Sequence, residues 1–306
     1  MALLNVYSIS VALVFFQLIP AILSWGEAGH YATCKIAQDY LTEAAKDAMK
    51  ELLPKSANGE LADVCSWPDL PEIRKGYPWS GELHYANAPN FACSFDYCRD
   101  CHNAANVKNR CVVGAVYNYT RQLESVYHHY GAYSKYNLTE ALMFLAHFMG
   151  DLHQPLHLGY SEDLGGNRII ISWYNKTTNL HRVWDDEIID TALERYYGSN
   201  LTNLIEAIKS NITDDRLISE IKSSEACHHS VCPNQYAEES ISLACKYAYK
   251  DATNGTQLND DYFHSRLPIV EKRLAQGGVR LAALLEEIFG AKTRMQMQKQ
   301  VISAIY

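Results

Sequence analysis

The run Ala141-Leu142-Met143-Phe144-Leu145-Ala146-His147-Phe148-Met149-Gly150-Asp151-Leu152 constrains the fold more than any other part of the chain. Thr139 reads as its helix cap, Glu140 sits in the first turn, and Pro155 marks the stop. A helix that is apolar on nearly every face has to lie inside a protein. Such a helix carries His147 and Asp151 inward on one face, because residues four apart line up. A buried ionised carboxylate is costly unless it is paired or metallated. The core of this protein is therefore expected to hold polar chemistry.

Around that helix the pattern is mostly helical. Trp25 to about Leu53 reads as one helix ending at Pro54, and Val112 to about Tyr130 as another. Residues 54–110, rich in Pro, Cys, Tyr and Trp, read as loops and short helices tied by disulfides. Gly165-Gly166-Asn167 is a turn, and Ile169 to Tyr174 with the residues after it suggests a short β-hairpin. Helical patterns resume over Leu180–Tyr197, Leu201–Ile212 and the 214–250 region. The last helix is expected over Leu267–Phe289, interrupted at Gly277-Gly278. With 306 residues, 48% of them apolar, and no internal repeat, an all-α (mostly helical) single domain follows.

The ends are set apart. The apolar run Val11–Leu23 is broken by Gln17 and Pro20, too short to span a bilayer, and followed by small Ser24. Residues 1–24 thus read as a signal peptide, which makes Trp25 the first residue of the mature chain. The acid-free stretch 291–306 reads as a tail that is trimmed. Six Asn-x-Ser/Thr sequons, at Asn118, Asn137, Asn175, Asn200, Asn211 and Asn254, and nine cysteines point to the secretory pathway, with a secreted or vacuolar destination. An odd cysteine count leaves at least one thiol outside intrachain pairs. No later segment is apolar enough to cross a membrane. A net charge of −8 without a basic cluster argues against a protein that coats nucleic acid, but not against a metalloenzyme, whose ions supply the positive charge.

Further His and Asp residues stand in suggestive places. His157 follows the break at Pro155, and His181 and Asp185 repeat the spacing of four. Asp69, His84 and His30 lie upstream. Any one of them alone is more easily a hydrogen-bonded core residue or a helix-surface contact. Two i, i+4 pairs, one inside an apolar helix, favour metal, and His with carboxylate oxygen is a ligand set that suits zinc.

Trp25-Gly26-x-x-Gly29-His30, Ser66-Trp67-Pro68-Asp69, Leu83-His84-Tyr85, His147-Phe148-Met149-Gly150-Asp151-x-His153-Gln154-Pro155-x-His157, Gly165-Gly166-Asn167 and Asn179-Leu180-His181-x-Val183-Trp184-Asp185 together resemble the S1/P1 nuclease family, and its plant bifunctional endonucleases most. The resemblance covers residues 25–290 and implies the helical phospholipase C/P1 nuclease fold. It implies three zinc ions per chain and nine ligand residues: Asp69, His84, His147 and Asp151 for one ion, His157, His181 and Asp185 for a second, and the α-amine and carbonyl of Trp25 with His30 and a bridging Asp151 for the third. The activity implied is hydrolysis of single-stranded RNA and DNA to 5′-phosphorylated products by a zinc-bound water, with 3′-nucleotidase activity, in a monomer with no stable protein partner. The disulfides implied are Cys34–Cys65, Cys93–Cys245, Cys101–Cys111 and Cys227–Cys232, leaving Cys98 free. Asn167 is a candidate substrate contact, and His153 reads either as an orienting neighbour of the ligands or as a core residue.

Two positions depart from the family pattern. Glu72 stands where a basic residue is usual, and Asn87 where an aspartate near the attacking water is usual. Arg74 is the candidate to supply the missing charge. These departures leave two alternatives to a full nuclease: a catalytically weakened zinc-binding glycoprotein of the same family, or a zinc phospholipase C.

Overall fold

The structure, a computed structural model, describes residues 25–128, 135–212 and 232–290. The expected signal peptide, the tail 291–306, Cys227 and the 214–231 part of an expected helix lie outside the described residues.

The protein is mostly helical. Its longer helices are α1 (Glu27–Asp39), α2 (Glu43–Leu52), α3 (Val112–His128), α4 (Leu138–His153), α5 (Ile188–Tyr196), α6 (Leu201–Ile212), α7 (Pro233–Leu243) and α8 (Asp260–Phe289). α4 is the central one, and every side chain from Ala141 to His153 is buried. Its cap is Asn137 rather than Thr139: the Asn137 side chain accepts from the Glu140 N–H. The Thr139 hydroxyl is used elsewhere, donating to Leu52 O at 2.6 Å.

The expected first helix is two. Thr42 ends the run by capping α2 at the Ala45 N–H, while its own N–H donates to Glu286 Oε2 at 3.2 Å. α8 departs the other way, starting earlier than expected and running unbroken for 30 residues. The reason lies in how closely α1 approaches it. A Cβ on Gly278 would sit 2.5 Å from Ile36 Cγ2, and one on Gly277 3.2 Å from Thr33 Cγ2. Close helix packing here outweighs the roughly 1 kcal/mol that each glycine costs a helix.

The hairpin forms as β1 (Ile170–Trp173) and β2 (Lys176–Asn179), antiparallel, with Ile170 opposite Asn179. Tyr174 and Asn175 both take positive φ, as a two-residue hairpin turn demands. A two-residue strand, β3 (Gln257–Leu258), pairs in parallel with β1 and makes the sheet three-stranded.

Three of the expected disulfides are formed, Cys34–Cys65, Cys93–Cys245 and Cys101–Cys111, and Cys98 is free and exposed. All six sequon asparagines are exposed. Among the described residues no helix is long and apolar enough to cross a membrane.

Candidate metal centre

α4 brings His147 and Asp151 into the interior, and the chain that leaves it holds the next ligand candidate. Gln154 accepts the Leu156 N–H on its side-chain oxygen, which shapes the turn Pro155–Leu158 and fixes His157. The amide end of Gln154 donates to Asp185 Oδ1 at 2.6 Å. Sequence reading missed this fully buried glutamine, although its place between His153 and Pro155 in the motif was a signal.

Asn179 caps the turn Leu180–Arg182 that carries His181, and a π-turn over Val183–Glu187 carries Asp185. Such widened turns are frequent at functional sites. Asp69 ends the short turn Trp67–Asp69, and His84 follows Gly81–Leu83. His30 lies on α1 against Gly150, where a Cβ would be 2.8 Å from its Nδ1.

These eight side chains meet. Asp151 is the hub, with His84 Nδ1 at 3.0 Å, His147 Nε2 at 3.2 Å, His30 Nε2 at 3.3 Å and His157 Nδ1 at 3.6 Å from its oxygens. Asp69 Oδ1 stands 3.6 Å from His147 Nε2 and 3.7 Å from His84 Nδ1. Asp185 lies 3.3 Å from His181 Nε2 and 3.8 Å from His157 Nε2. Three groups able to hold a metal ion result: His30–His147–Asp151, Asp69–His84–His147 and His157–His181–Asp185. Trp25 is wholly buried beside them, and the Gly26 N–H donates to Asp185 O at 3.1 Å.

Hydrogen bonds to the backbone set the tautomers of three imidazoles. His147, His157 and His181 each present Nδ1 to a carbonyl, of Cys65 at 2.8 Å, His84 at 2.7 Å and Gly165 at 2.6 Å. A carbonyl can only accept, so Nδ1 carries the proton and Nε2 keeps its lone pair, the arrangement common to metal-bound histidines.

The donor set fits cations. Buried atoms His84 Nε2, His157 Nε2 and Asp185 Oδ2 have no hydrogen-bond partner, a costly state that a metal ion would relieve. Burial, with His147 nearby, lowers the pKa of His30, and burial chiefly lowers that of His157 to about 3, so both are neutral. Burial and the adjacent Asp186 push Asp185 well above the carboxylate range, and only a neighbouring positive charge would return it to the ionised ligand form. Burial opposes ionisation of Asp69 too, but nearby imidazoles, His147 first, outweigh it and leave its pKa at about 2.

The remaining candidates are placed as follows. Arg74 Nη2 meets Asp69 Oδ1 at 2.6 Å, so its guanidinium is engaged by a carboxylate of the cluster. Glu72 is exposed in the first turn of Pro71–Gly76. Asn87 is half-buried and lines a small cavity with Tyr85, Leu156, Leu164 and His181. Tyr85 was not singled out from sequence as a site residue. Asn167 donates through Nδ2 to Leu164 O at 2.9 Å and stabilises its own turn. His153 turns away from the cluster: its Nδ1 meets Met149 O at 2.7 Å and its Nε2 faces Arg280 at 3.0 Å. The core reading of His153 holds.

The core gathers imidazoles and carboxylates into three groups that could hold metal ions, and the relatives by sequence place the protein among the nucleases, hydrolases that act on phosphodiester bonds. The chain belongs to the S1/P1 nuclease family, whose profile matches residues 25–290. It is 54% identical to Endonuclease 4 of Arabidopsis thaliana over 284 residues, covering 92% of this chain and 95% of that protein. It is 53% identical to Endonuclease 3 of the same plant over 296 residues, covering 95% and 98%. Nuclease P1 of Penicillium citrinum is 29% identical over 278 residues, covering 88% and 99%.

Proposed function

We propose that this protein is an endonuclease that hydrolyses single-stranded RNA and DNA, leaving 5′-phosphates, and that also removes the phosphate of 3′-nucleotides. The observation that carries this reading is the buried cluster in which four histidines surround Asp151, with Asp69 beside two of them and the His157–His181–Asp185 group adjoining through His157. We assign zinc to the three groups, with Asp69, His84, His147 and Asp151 as one set and His157, His181 and Asp185 as the second. Trp25, through its amine and carbonyl, joins His30 and Asp151 as the third. Zinc held there lowers the pKa of water at the site and draws charge from the phosphate oxygens.

The protein's own groups do the rest. Asp69, with 14% of its side chain exposed, is the most open carboxylate in the cluster, and its side is therefore the entrance we assign to a phosphate. Arg74 neutralises one of its oxygens and keeps a positive charge beside that entrance. Tyr85 and Asn87 line a small cavity next to His181, which puts the Asn87 amide close to the metal groups. A free amine at Trp25 requires removal of residues 1–24, which agrees with a protein of the secretory pathway, secreted or vacuolar. Glycans on Asn118, Asn137, Asn175, Asn200, Asn211 and Asn254, a trimmed 291–306 tail and a monomeric state complete the proposal.

The test is an assay of the mature protein on RNA and on denatured and native DNA, with and without chelator. Chelator-sensitive cleavage of the single-stranded substrates is expected. Hydrolysis of phosphatidylcholine without cleavage of RNA would overturn the reading.

A further inference from the structure

Phe91 is the most exposed large apolar side chain among the described residues, at 87%, and its φ is +61°. Each feature is unfavourable by itself. An aromatic ring in water gives up burial, and a bulky residue in the left-handed region is strained. The two occur together in one tight turn. The Ala92 N–H donates to Pro89 O at 3.0 Å, so Phe91 occupies the third position of a Pro89–Ala92 turn, a place that turns with positive φ usually give to glycine or asparagine. Strain of this kind persists where the surroundings impose it, and it gathers at functional sites.

The surroundings do impose it. On one side the chain is paired to the segment that carries His157: the Ala86 N–H donates to His157 O, the Ala88 N–H to Gly159 O, and the Ser161 N–H to Ala88 O, each at 2.9 Å. On the other side Cys93 is bonded to Cys245. Between these two anchors the Phe91 ring stands 6.0 Å from the Tyr160 ring, which stacks on Tyr249 at 4.4 Å with the planes 12° apart. Asn87, four residues before Phe91, lines the cavity beside His181. Phe91, Tyr160 and Tyr249 thus form an aromatic row beside the strand-like segment that carries His157, and the row ends in a solvent-facing ring on a constrained backbone.

We propose that Phe91 is a stacking platform for a nucleobase of the single strand, one or more nucleotides away from the phosphate being cleaved. This rests on the nuclease reading above and extends it to how a longer strand is held. Every base offers a flat π-face, so the platform serves any sequence and gives a preference for strands over short fragments. Because the turn's backbone is already held by the anchors on both sides, little backbone freedom is lost on binding.

The experiment compares KM and kcat of the mature zinc-loaded protein on a dinucleotide and on an octanucleotide of the same composition, for the natural chain, Phe91→Gly and Phe91→Trp. Glycine suits the positive φ, so the turn is kept while the ring is lost. The expected result is that Phe91→Gly raises KM for the octanucleotide about five-fold or more. It should leave kcat and both dinucleotide constants unchanged, while Phe91→Trp stays close to the natural chain. A non-cleavable phosphorothioate octanucleotide should also quench additional tryptophan fluorescence in Phe91→Trp relative to the natural chain. An unchanged octanucleotide KM in Phe91→Gly, or an equal rise on both substrates, would overturn the platform, and the ring would then serve another contact such as a protein surface. Failure of the natural chain to cleave either substrate would instead overturn the nuclease reading itself.

Discussion

Gly26, next to buried Trp25, packs against the turn that carries Asp185 of the metal centre, and replacing it by alanine is a sharp test of that junction. Its backbone, φ −53° and ψ 172°, suits any residue, so the requirement for glycine is one of space. A Cβ added there would lie 1.7 Å from Asp186 Oδ1, 2.9 Å from its Cγ and 3.4 Å from Asp185 O. The first distance is about half of an ordinary contact between carbon and oxygen, so something has to move by more than an ångström. If Asp186 swings away, it leaves Arg182, whose Nε is 3.5 Å from its Oδ2. If residues 25 and 26 lift instead, the 3.1 Å bond from the Gly26 N–H to Asp185 O breaks and buried Trp25 leaves its place beside the cluster. Overpacking of this kind costs about 1–3 kcal/mol, and a displacement near 1 Å at a reacting centre can lower the rate about 10²-fold. Gly26→Ala should therefore show a lowered Tm, less than the full complement of metal, and a fall of that order in kcat/KM on single-stranded RNA. Removing the obstructing carboxylate as well, in Gly26→Ala with Asp186→Ala, should restore most of the rate. A single variant with natural rate and metal content would refute the argument, as would a double variant no better than the single one.

Other outcomes follow from the same geometry. Asp151→Asn should lose more than one metal ion per chain and lower the rate by more than the roughly 10²-fold typical of residues behind the ligands; metal content and turnover check this, and chelation of the natural protein should lower its Tm because ions that bind only the folded chain stabilise it. Glu239 contacts Arg280 Nη2 at 2.8 Å and Arg273 Nη1 at 2.8 Å, and although burial opposes its ionisation, the two arginines hold its pKa below the usual 4.5. Its contribution is therefore fully present above about pH 4.5 and lost as pH falls through the depressed folded value, so Glu239→Gln should lower stability at pH 7 by about 1–3 kcal/mol and flatten the acid limb in denaturant titrations. Glu72→Arg with Asn87→Asp should cleave single-stranded RNA at least several-fold faster than the natural chain, since a positioned acid–base group contributes about 10²–10⁴-fold; a flat rate would mean that these positions adjust substrate fit.

What the sequence revealed, and what it concealed, divide along physical lines. The apolar run around His147 and Asp151 announced a buried polar centre because burial and spacing are local properties of a helix. The motifs then brought in Asp69, His84, His157, His181 and Asp185, which the fold gathers from five separate turns. Failures came where a distant partner decides a local structure. Glu286 splits the first helix at Thr42 from 244 positions away, and Ile36 makes use of the glycines that were expected to interrupt α8. Arg74 gave no sign in sequence that it would engage Asp69, because a salt bridge five residues along the chain depends on how the short helix Pro71–Gly76 is oriented. The same cause explains Gln154 and Gly26, whose partners Asp185 and Asp186 lie more than thirty residues away along the chain in one case and about 160 in the other. The π-turn over Val183–Glu187 connects the two: it aims the Asp185 carboxylate at Gln154 and leaves Asp186 against the space that Gly26 keeps open. The metal centre and residues 25–26 are thus braced by one turn, so a change at either should be felt at the other.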